Sequence, residues 1–135
     1  MRVFLDTNVL VSAFASRGLC ADLLELILLE HDLILGQRVL SELHKALREK
    51  VRLPAASAAE VVEFVSGEAM QVVDQAAPPN IKADPDDAYV LGEALAGQAE
   101  LFVTGDAALL KLAAVDALRI VSPRQFWETL HASDR

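Results

Sequence analysis

Three groups of acidic residues stand where short apolar runs give way to helical patterns. Asp6 follows the run 3–5, Asp106 closely follows the run 101–103, and the segment Asp84-Pro85-Asp86-Asp87 opens a helical pattern between them. In open parallel α/β sheets, ligands bind beyond the carboxyl ends of the strands. If the apolar runs form one such sheet, we expect these carboxylates to share one edge of the molecule.

A cluster of carboxylates at one sheet edge has a definite chemistry. Two unit charges about 5 Å apart repel by roughly 3 kcal/mol at an effective dielectric constant near 20, so the cluster stays ionised at neutral pH only if cations occupy it. Oxygen ligands suit Mg²⁺ or Mn²⁺. Such ions polarise a phosphodiester and lower the pKa of an attacking water. The pattern therefore favours metal-assisted phosphodiester hydrolysis, and the sequence has no recognisable nucleophile motif or glycine-rich phosphate loop.

Each acid also has a purely structural interpretation. Asp6 could initiate a turn, and Asp84 and Asp106 are suited to cap the helices that follow them. Asp87 differs, because it shares the face of the apolar stripe that begins at Val90 and continues along the helix. A carboxylate on such a face is costly unless it is paired, which favours Asp87 as a site residue.

Asp86 falls on the side of Glu93, and we expect that side to face solvent.

Glu42 is a fourth candidate. It lies on the flank of the apolar stripe in the helical pattern 38–50, and Glu49 lies on the same flank one heptad later. Spacing does not choose between these two glutamates, and by itself it favours a solvated side chain for both.

The elements that must position these acids alternate along the chain. Apolar runs at 3–5, 33–35, 70–73, 101–103 and 120–121 predict strands, and helical patterns separate them. Short apolar strands between helices are typical of a parallel sheet covered on both faces. We therefore expect one domain over residues 1–135, an α/β protein with a three-layer α/β/α sandwich and a short parallel sheet. The helical patterns between 38 and 69 are candidates for a projecting hairpin.

Composition excludes several classes of protein. The 135 residues contain 12 Lys and Arg against 20 Asp and Glu, a formal net charge of −8, which argues against broad coating of nucleic acid. The single cysteine, Cys20, excludes a disulfide scaffold and a cysteine-rich zinc site. No apolar stretch is long enough to span a bilayer and no signal peptide is recognisable, so we expect a cytoplasmic protein without a membrane partner.

Three motifs, taken together in their order and separation, carry a resemblance. They are Leu5-Asp6-Thr7-Asn8-Val9-Leu10, Asp84-Pro85-Asp86-Asp87, and Val103-Thr104-Gly105-Asp106 followed by Leu109-Leu110. From Met1 to Trp127 the chain resembles the PIN-domain family, and most of all its bacterial members described as toxin components of toxin–antitoxin modules.

The resemblance implies a PIN-like fold and a Mg²⁺- or Mn²⁺-dependent ribonuclease. The family's acidic positions, which serve in catalysis and metal binding, fall on Asp6, Glu42, Asp87 and Asp106, although Glu42 matches by position more than by motif. The positions that orient the acids fall on Asn8 and Thr104. Asp84 and Asp86 match an acidic run, which implies a water-mediated metal contact as a further role for that segment.

The resemblance also implies partners. These are an RNA substrate, an antitoxin whose peptide lies across the acidic pocket, and a second copy of the chain in a homodimer. Basic residues on the third helical pattern, Arg38 and Lys45 among them, form either a solvated face or a rim for RNA phosphates. Arg17 and Lys82 are expected near the same edge because they adjoin motif loops.

Two other functions stay open at this point. An aspartate-nucleophile phosphatase also places an aspartate after its first strand, but it normally needs a second acid two residues later, where this chain has Asn8. A non-catalytic domain would keep the acids and bind RNA or a protein without cleavage.

Overall fold

The computed structural model describes residues 1–132, which form six strands and seven helices. The strands are β1 (Arg2–Leu5), β2 (Asp32–Gly36), β3 (Gln71–Val73), β4 (Leu101–Val103), β5 (Ala114–Val115) and β6 (Leu118–Val121). The helices are α1 (Thr7–Ala15), α2 (Leu19–Glu30), α3 (Gln37–Glu49), α4 (Ala55–Glu68), α5 (Pro85–Ala96), α6 (Ala107–Leu110) and α7 (Pro123–Ala132).

The strands form one sheet with the order β3-β2-β1-β4-β6-β5. All neighbouring pairs run parallel except β5 and β6, which pair as an antiparallel hairpin at one edge. This arrangement confirms the predicted α/β sandwich and adds the antiparallel edge strand to it. The two residues of β5 are too few to show any periodicity, and the turn after them places Asp116 at a positive φ of 54°.

The core lies on both faces of the central strands. Residues 3–5 of β1, 33–35 of β2 and 101–103 of β4 are buried throughout, as expected for parallel strands covered by helices. Phe4 and Phe102, on neighbouring strands, stack with their ring centroids 5.3 Å apart. Burial of these apolar strands supplies the main driving force for the fold.

Helix α3, which carries Glu42, packs against the rest of the domain. Its apolar stripe, Val39, Leu40, Leu43 and Leu47, is buried. α3 contacts α4, as expected of a helical hairpin, but it also packs against α1, α5 and β2. α3 is therefore part of a covering layer and does not project from the sheet.

The topology places several chain segments at one edge. β1 and β4 are neighbours, and the backbone N–H of Asp6 extends their pairing by donating to the carbonyl of Val103 (3.0 Å). The residues that follow each strand therefore lie side by side. Across residues 1–132, none of the helices combines the length and the apolar character that crossing a membrane requires.

Candidate active site

Asp6 lies at the centre of the carboxylate cluster. It ends β1 and caps α1, since its Oδ1 accepts a hydrogen bond from the backbone N–H of Thr7 at 2.8 Å. Its Oδ2 accepts from the hydroxyl of Thr104 at 2.8 Å and from the amide of Asn8 at 3.2 Å. The side chain is almost completely buried, so both oxygens are held in one orientation.

Opposing effects act on the pKa of Asp6. Burial raises the pKa of its carboxyl group, and the hydrogen bonds from Thr104 and Thr7 lower it. The negative charges of Glu42 and Asp106 raise it further. These two acids therefore lie close enough to act on Asp6.

Thr104 and Asn8 connect Asp6 to the loop after β4. The buried hydroxyl of Thr104 donates to Asp6 and also accepts the backbone N–H of Asp106 at 3.0 Å. Asn8 Oδ1 accepts the backbone N–H of Gly105 at 2.9 Å. Asp106 itself caps α6, because its Oδ1 accepts from the N–H groups of Ala108 and Leu109. The polar residues of the first and last motifs thus form one hydrogen-bonded network.

Asp87 carries the largest electrostatic perturbation in the cluster. It is half-buried on the first turn of α5, where Asp84 caps the helix by accepting the N–H of Asp86 at 2.9 Å. Burial first, then the charges of the surrounding acids, raise the pKa of Asp87 to about 6. Those acids, in decreasing order of effect, are Asp106, Asp6, Asp84 and Glu42. Asp86 is exposed, as its position on the helix predicts.

Glu42 faces the cluster from α3. It is half-buried, and its Oε2 accepts a hydrogen bond from the hydroxyl of Thr7 at 2.7 Å. The solvated side chain that spacing favoured for Glu42 is therefore wrong. The partner that holds it lies on α1, which the pattern of α3 cannot reveal.

One cavity of about 660 Å³ gathers these groups. Its lining residues include all four candidate acids, a lysine of α3 and the lysine that directly follows this helix: Asp6, Thr7, Asn8, Val11, Ser12, Glu42, Lys45, Ala46, Glu49, Lys50, Asp87 and Asp106. We call it the acidic cavity. Thr104 supports it from behind Asp6, and Asp84 acts on it through its charge without lining it.

The predicted basic residues divide into two sets. Lys45 lines the acidic cavity, together with Lys50. Arg17 and Lys82 are exposed and are not among the lining residues. Arg38 also lies outside the cavity, where it forms an ion pair with Asp86 at 3.5 Å.

The donor set suits a hard divalent cation in its chemistry, because it consists of carboxylates. Within residues 1–132, Arg38 and Asp86 form the one ion pair whose nitrogen and oxygen lie within 4.0 Å of each other. No basic side chain among these residues therefore pairs with any of the four acids at that distance. Over the same residues, no group of three or more Asp, Glu, His or Cys side chains stands in an arrangement that could hold a metal ion. Ligation by three of these acids would require their carboxylates to draw together around the cation.

The sequence pattern missed Glu93. It was expected on the solvent side of α5, but it is buried, and burial raises the pKa of its carboxyl group. Its Oε2 accepts the backbone N–H of Arg38 at 3.3 Å, and it lies against Gly36, where a Cβ atom would fall on the carboxylate. Its Oε1 has no hydrogen-bond partner among residues 1–132. The available signal was Gly36 before a helix whose own sequence supplies no capping side chain.

Solved structures share this fold at low sequence identity. VapBC2 from Rickettsia felis, bound to a DNA fragment from its promoter, gives a TM-score of 0.66 at 15% identity over 90% of this chain and 98% of that chain. VapBC-1 from nontypeable Haemophilus influenzae gives 0.64 at 15% identity over 92% and 99%. DNA-bound VapBC from Salmonella typhimurium gives 0.63 at 17% identity over 91% and 98%.

Sequence comparison identifies the family directly. No curated protein matches this sequence significantly. Residues 2–108 match the family model of the PIN domain, and this span contains all four candidate acids and the three motifs except for the closing Leu109-Leu110. The chain therefore belongs to the PIN-domain family.

Proposed function

We propose that this protein is a Mg²⁺- or Mn²⁺-dependent endoribonuclease that hydrolyses single-stranded RNA. The observation that carries the proposal is the acidic cavity, where Asp6, Glu42, Asp87 and Asp106 come together from β1, α3, α5 and the loop after β4. Membership of the PIN-domain family, in which nucleases are general, supports the same reaction class.

In this proposal the four acids hold the cation. When bound, the ion polarises the phosphodiester and lowers the pKa of the attacking water. Thr104 keeps Asp6 and Asp106 in a fixed relation, since its hydroxyl bonds to the carboxylate of the first and the backbone of the second. Asn8 supports both through Asp6 and Gly105, and Asp84 fixes the start of the helix that presents Asp87.

The RNA backbone meets positive charge on one side of the acidic cavity. Lys45 and Lys50 line it beside the acids, and we assign them to the phosphates that flank the cut. Because the net charge of the protein is −8, only such local basic sites attract the RNA phosphates. Arg38 lies one turn before Glu42 on α3 and extends this basic rim, whereas Arg17 and Lys82 are assigned at most a contact with more distant nucleotides.

We further propose that the protein is the toxin of a toxin–antitoxin module and acts on RNA in the cytoplasm. Three solved structures that share its fold are VapBC assemblies. The excess negative charge of the acidic cavity would attract a basic antitoxin peptide, which would shield the acids from RNA. A homodimer belongs to the same proposal.

A second candidate is a PIN domain that binds RNA or a protein without cutting. The arrangement of the acids supports this second candidate, because no three acids among the described residues are placed to hold one metal ion. An aspartate-nucleophile phosphatase has less support, since Asn8 binds Asp6 at the position where that chemistry needs an acid.

One assay separates these functions. Single-stranded RNA is incubated with Mn²⁺ and the wild-type chain, Asp6→Asn or the control Asp116→Asn, which alters an exposed turn residue outside the cavity. The proposal predicts Mn²⁺-dependent cleavage, a loss of about hundredfold or more in Asp6→Asn, and wild-type activity in the control.

The other outcomes would contradict the nuclease. RNA binding without cleavage by the wild-type chain supports the binding domain. Turnover of a small phosphate ester with a phosphorylated Asp6 supports the phosphatase.

A further inference from the structure

Helix α3 begins without a capping side chain of its own. The residue before it, Gly36, is buried and offers no side-chain oxygen to the first N–H groups of the helix. These N–H groups have no partner within the helix, and a buried N–H group without a partner is costly. The start of α3 therefore needs an acceptor from another part of the chain.

Glu93 of α5 supplies that acceptor. Its Oε2 accepts the backbone N–H of Arg38 at 3.3 Å, and its carboxyl group lies where a Cβ atom of residue 36 would stand. Burial raises the pKa of Glu93, whereas the backbone N–H groups of Arg38 and Gln37 and the charge of Arg38 lower it. A negative charge at this position also faces the positive end of the α3 dipole. Glu93 thus acts as an N-cap that a neighbouring helix provides.

This cap is costly to the protein. Glu93 is 3% exposed, and within residues 1–132 its Oε1 has no hydrogen-bond partner. Among the same residues, the guanidinium of Arg38 pairs with Asp86 and leaves the Glu93 carboxylate without an ion pair within 4.0 Å. An apolar side chain of similar size would fill the space at a lower cost. The carboxylate is therefore explained by its contact with α3 and not by packing in the core.

The contact joins the two helices that carry acids of the acidic cavity. Glu42 lies one turn after Arg38 on α3, about 6 Å along the helix. Asp87 lies less than two turns before Glu93 on α5, about 9 Å along the helix. Besides the larger effect of burial, the charge of Glu42 raises the pKa of both Glu93 and Asp87. The three carboxylates are therefore close enough to interact.

The other two acids are held in a different way. Asp6 and Asp106 follow two strands that pair directly, and Thr104 bonds to both residues. No strand pairing fixes α3 relative to α5, and the ion pair between these helices is exposed and contributes little. The buried contact of Glu93 with the start of α3 therefore provides the firmer link between the two helices.

We propose that Glu93 is a positioning residue, which caps α3 from α5 and so holds the helices of Glu42 and Asp87 in the relation from which both carboxylates reach one cation. Gly36 belongs to this arrangement, because only a residue without a side chain leaves room for the carboxylate. The proposal rests on the metal-dependent nuclease function and extends its machinery to a residue that does not line the acidic cavity. Glu93 itself contacts neither the cation nor the RNA.

Four variants test the proposal. Glu93→Ala removes the cap, and Glu93→Gln keeps one oxygen that can accept the N–H of Arg38. Gly36→Ser combined with Glu93→Ala supplies a new cap in the space that the carboxylate leaves. The backbone at residue 36, with a φ of −131° and a ψ of 160°, suits a capping serine. Glu60→Ala, at an exposed glutamate of α4, is the control.

The Mn²⁺ affinity of the folded chains is the first measurement, made by electron paramagnetic resonance of the free ion. We expect Glu93→Ala to bind Mn²⁺ about tenfold more weakly than the wild type. Glu93→Gln and the double variant should stay within about threefold of the wild type, because both retain a cap. Glu60→Ala should match the wild type.

Amide hydrogen exchange is a second measurement, which needs neither metal nor activity. Relative to the wild type, Glu93→Ala should accelerate exchange at residues 37–43 of α3 about tenfold more than at residues 3–5 of β1. A purely structural role of Glu93 would accelerate both segments alike, because it would lower the stability of the whole domain. Gly36→Ser in the double variant should return exchange in α3 to near the wild-type rate.

Three results would overturn the proposal. They are an unchanged Mn²⁺ affinity in Glu93→Ala, equal acceleration of exchange in both segments, and no recovery of either measurement in the double variant. If the double variant does not fold, the comparison of Glu93→Gln with Glu93→Ala takes its place. A wild-type chain that binds no Mn²⁺ at millimolar concentration would instead contradict the metal-dependent nuclease, and exchange would then decide whether Glu93 holds α3.

Discussion

The hydroxyl of Thr7 donates a 2.7 Å hydrogen bond to Oε2 of Glu42. The backbone N–H of the same Thr7 donates to Oδ1 of Asp6 at 2.8 Å. One residue at the start of α1 therefore orients two acids that come from the end of β1 and from α3. This contact connects Glu42, the acid with the weakest sequence signal, to the acid at the centre of the cluster.

Replacement of Thr7 by valine should separate the effects of these two hydrogen bonds. Thr7→Val keeps the N–H that binds Asp6 and removes the hydroxyl that binds Glu42, so we expect kcat/KM for RNA to fall about tenfold and stability to fall by about 1 kcal/mol. Thr7→Ser restores the hydroxyl and should recover most of the activity. Steady-state kinetics and urea unfolding of both variants provide the check. A serine variant as impaired as the valine variant would contradict a positioning role for the hydroxyl.

Asp87 should make the metal-free protein less stable as the pH rises. Its pKa in the folded state is about 6, against an ordinary value of 3.8, so between these values the folded state binds more protons than the unfolded state. The free energy of unfolding therefore falls as the pH rises through that window. Because Asp87 is partly solvated, we expect a contribution on the order of 1 kcal/mol after screening.

Asp87→Asn isolates this contribution. In EDTA the variant should match the wild type near pH 4 and exceed its stability by about 1 kcal/mol above pH 6, as measured by urea unfolding across that range. Millimolar Mn²⁺ should then raise the melting temperature of the wild type more than that of the variant. A stability difference independent of pH would show that the ionisation of Asp87 has no cost in the folded state.

Gly36 should tolerate no side chain. A Cβ atom at this position would fall on the carboxylate of Glu93, so Gly36→Ala should destabilise the protein by about 1–3 kcal/mol through overpacking. Gly67→Ala is the matched control, because nothing lies within 4 Å of a Cβ atom there and the residue belongs to helix α4. The control should gain up to about 1 kcal/mol from its higher helix propensity. Equal effects of the two substitutions, measured by thermal or urea unfolding, would contradict the contact of Glu93 with Gly36.

The sequence predicted the parts of the site that depend on strand ends and helix faces. Asp6 and Asp106 follow directly from the carboxyl ends of two apolar runs, and Asp87 follows from its place on the apolar stripe of α5. The capping interpretation of Asp106 is also right, and Asp6, which was expected only to initiate a turn, caps α1 as well; both use the same carboxylates that face the cavity. Capping and site formation are therefore not alternatives at these positions.

The parts that the sequence missed depend on contacts between distant segments. Glu42 is held by Thr7, 35 residues away, and Glu93 is buried because it reaches the start of α3, 55 residues away from Arg38. Helical periodicity reports only which residues share a face of one helix. It contains no information about a polar partner on another element, so both glutamates were expected in solvent.

Diffraction from a crystal soaked in Mn²⁺ tests the central claim most directly, because the anomalous signal locates the ion without any assumption about activity. The account predicts a peak in the acidic cavity with carboxylate oxygens of Asp6, Asp87 and Asp106 within about 2.5 Å of it, and no such peak in Asp6→Asn. A strong peak elsewhere, or an acidic cavity that stays without signal at millimolar Mn²⁺ while these carboxylates remain apart, would contradict it.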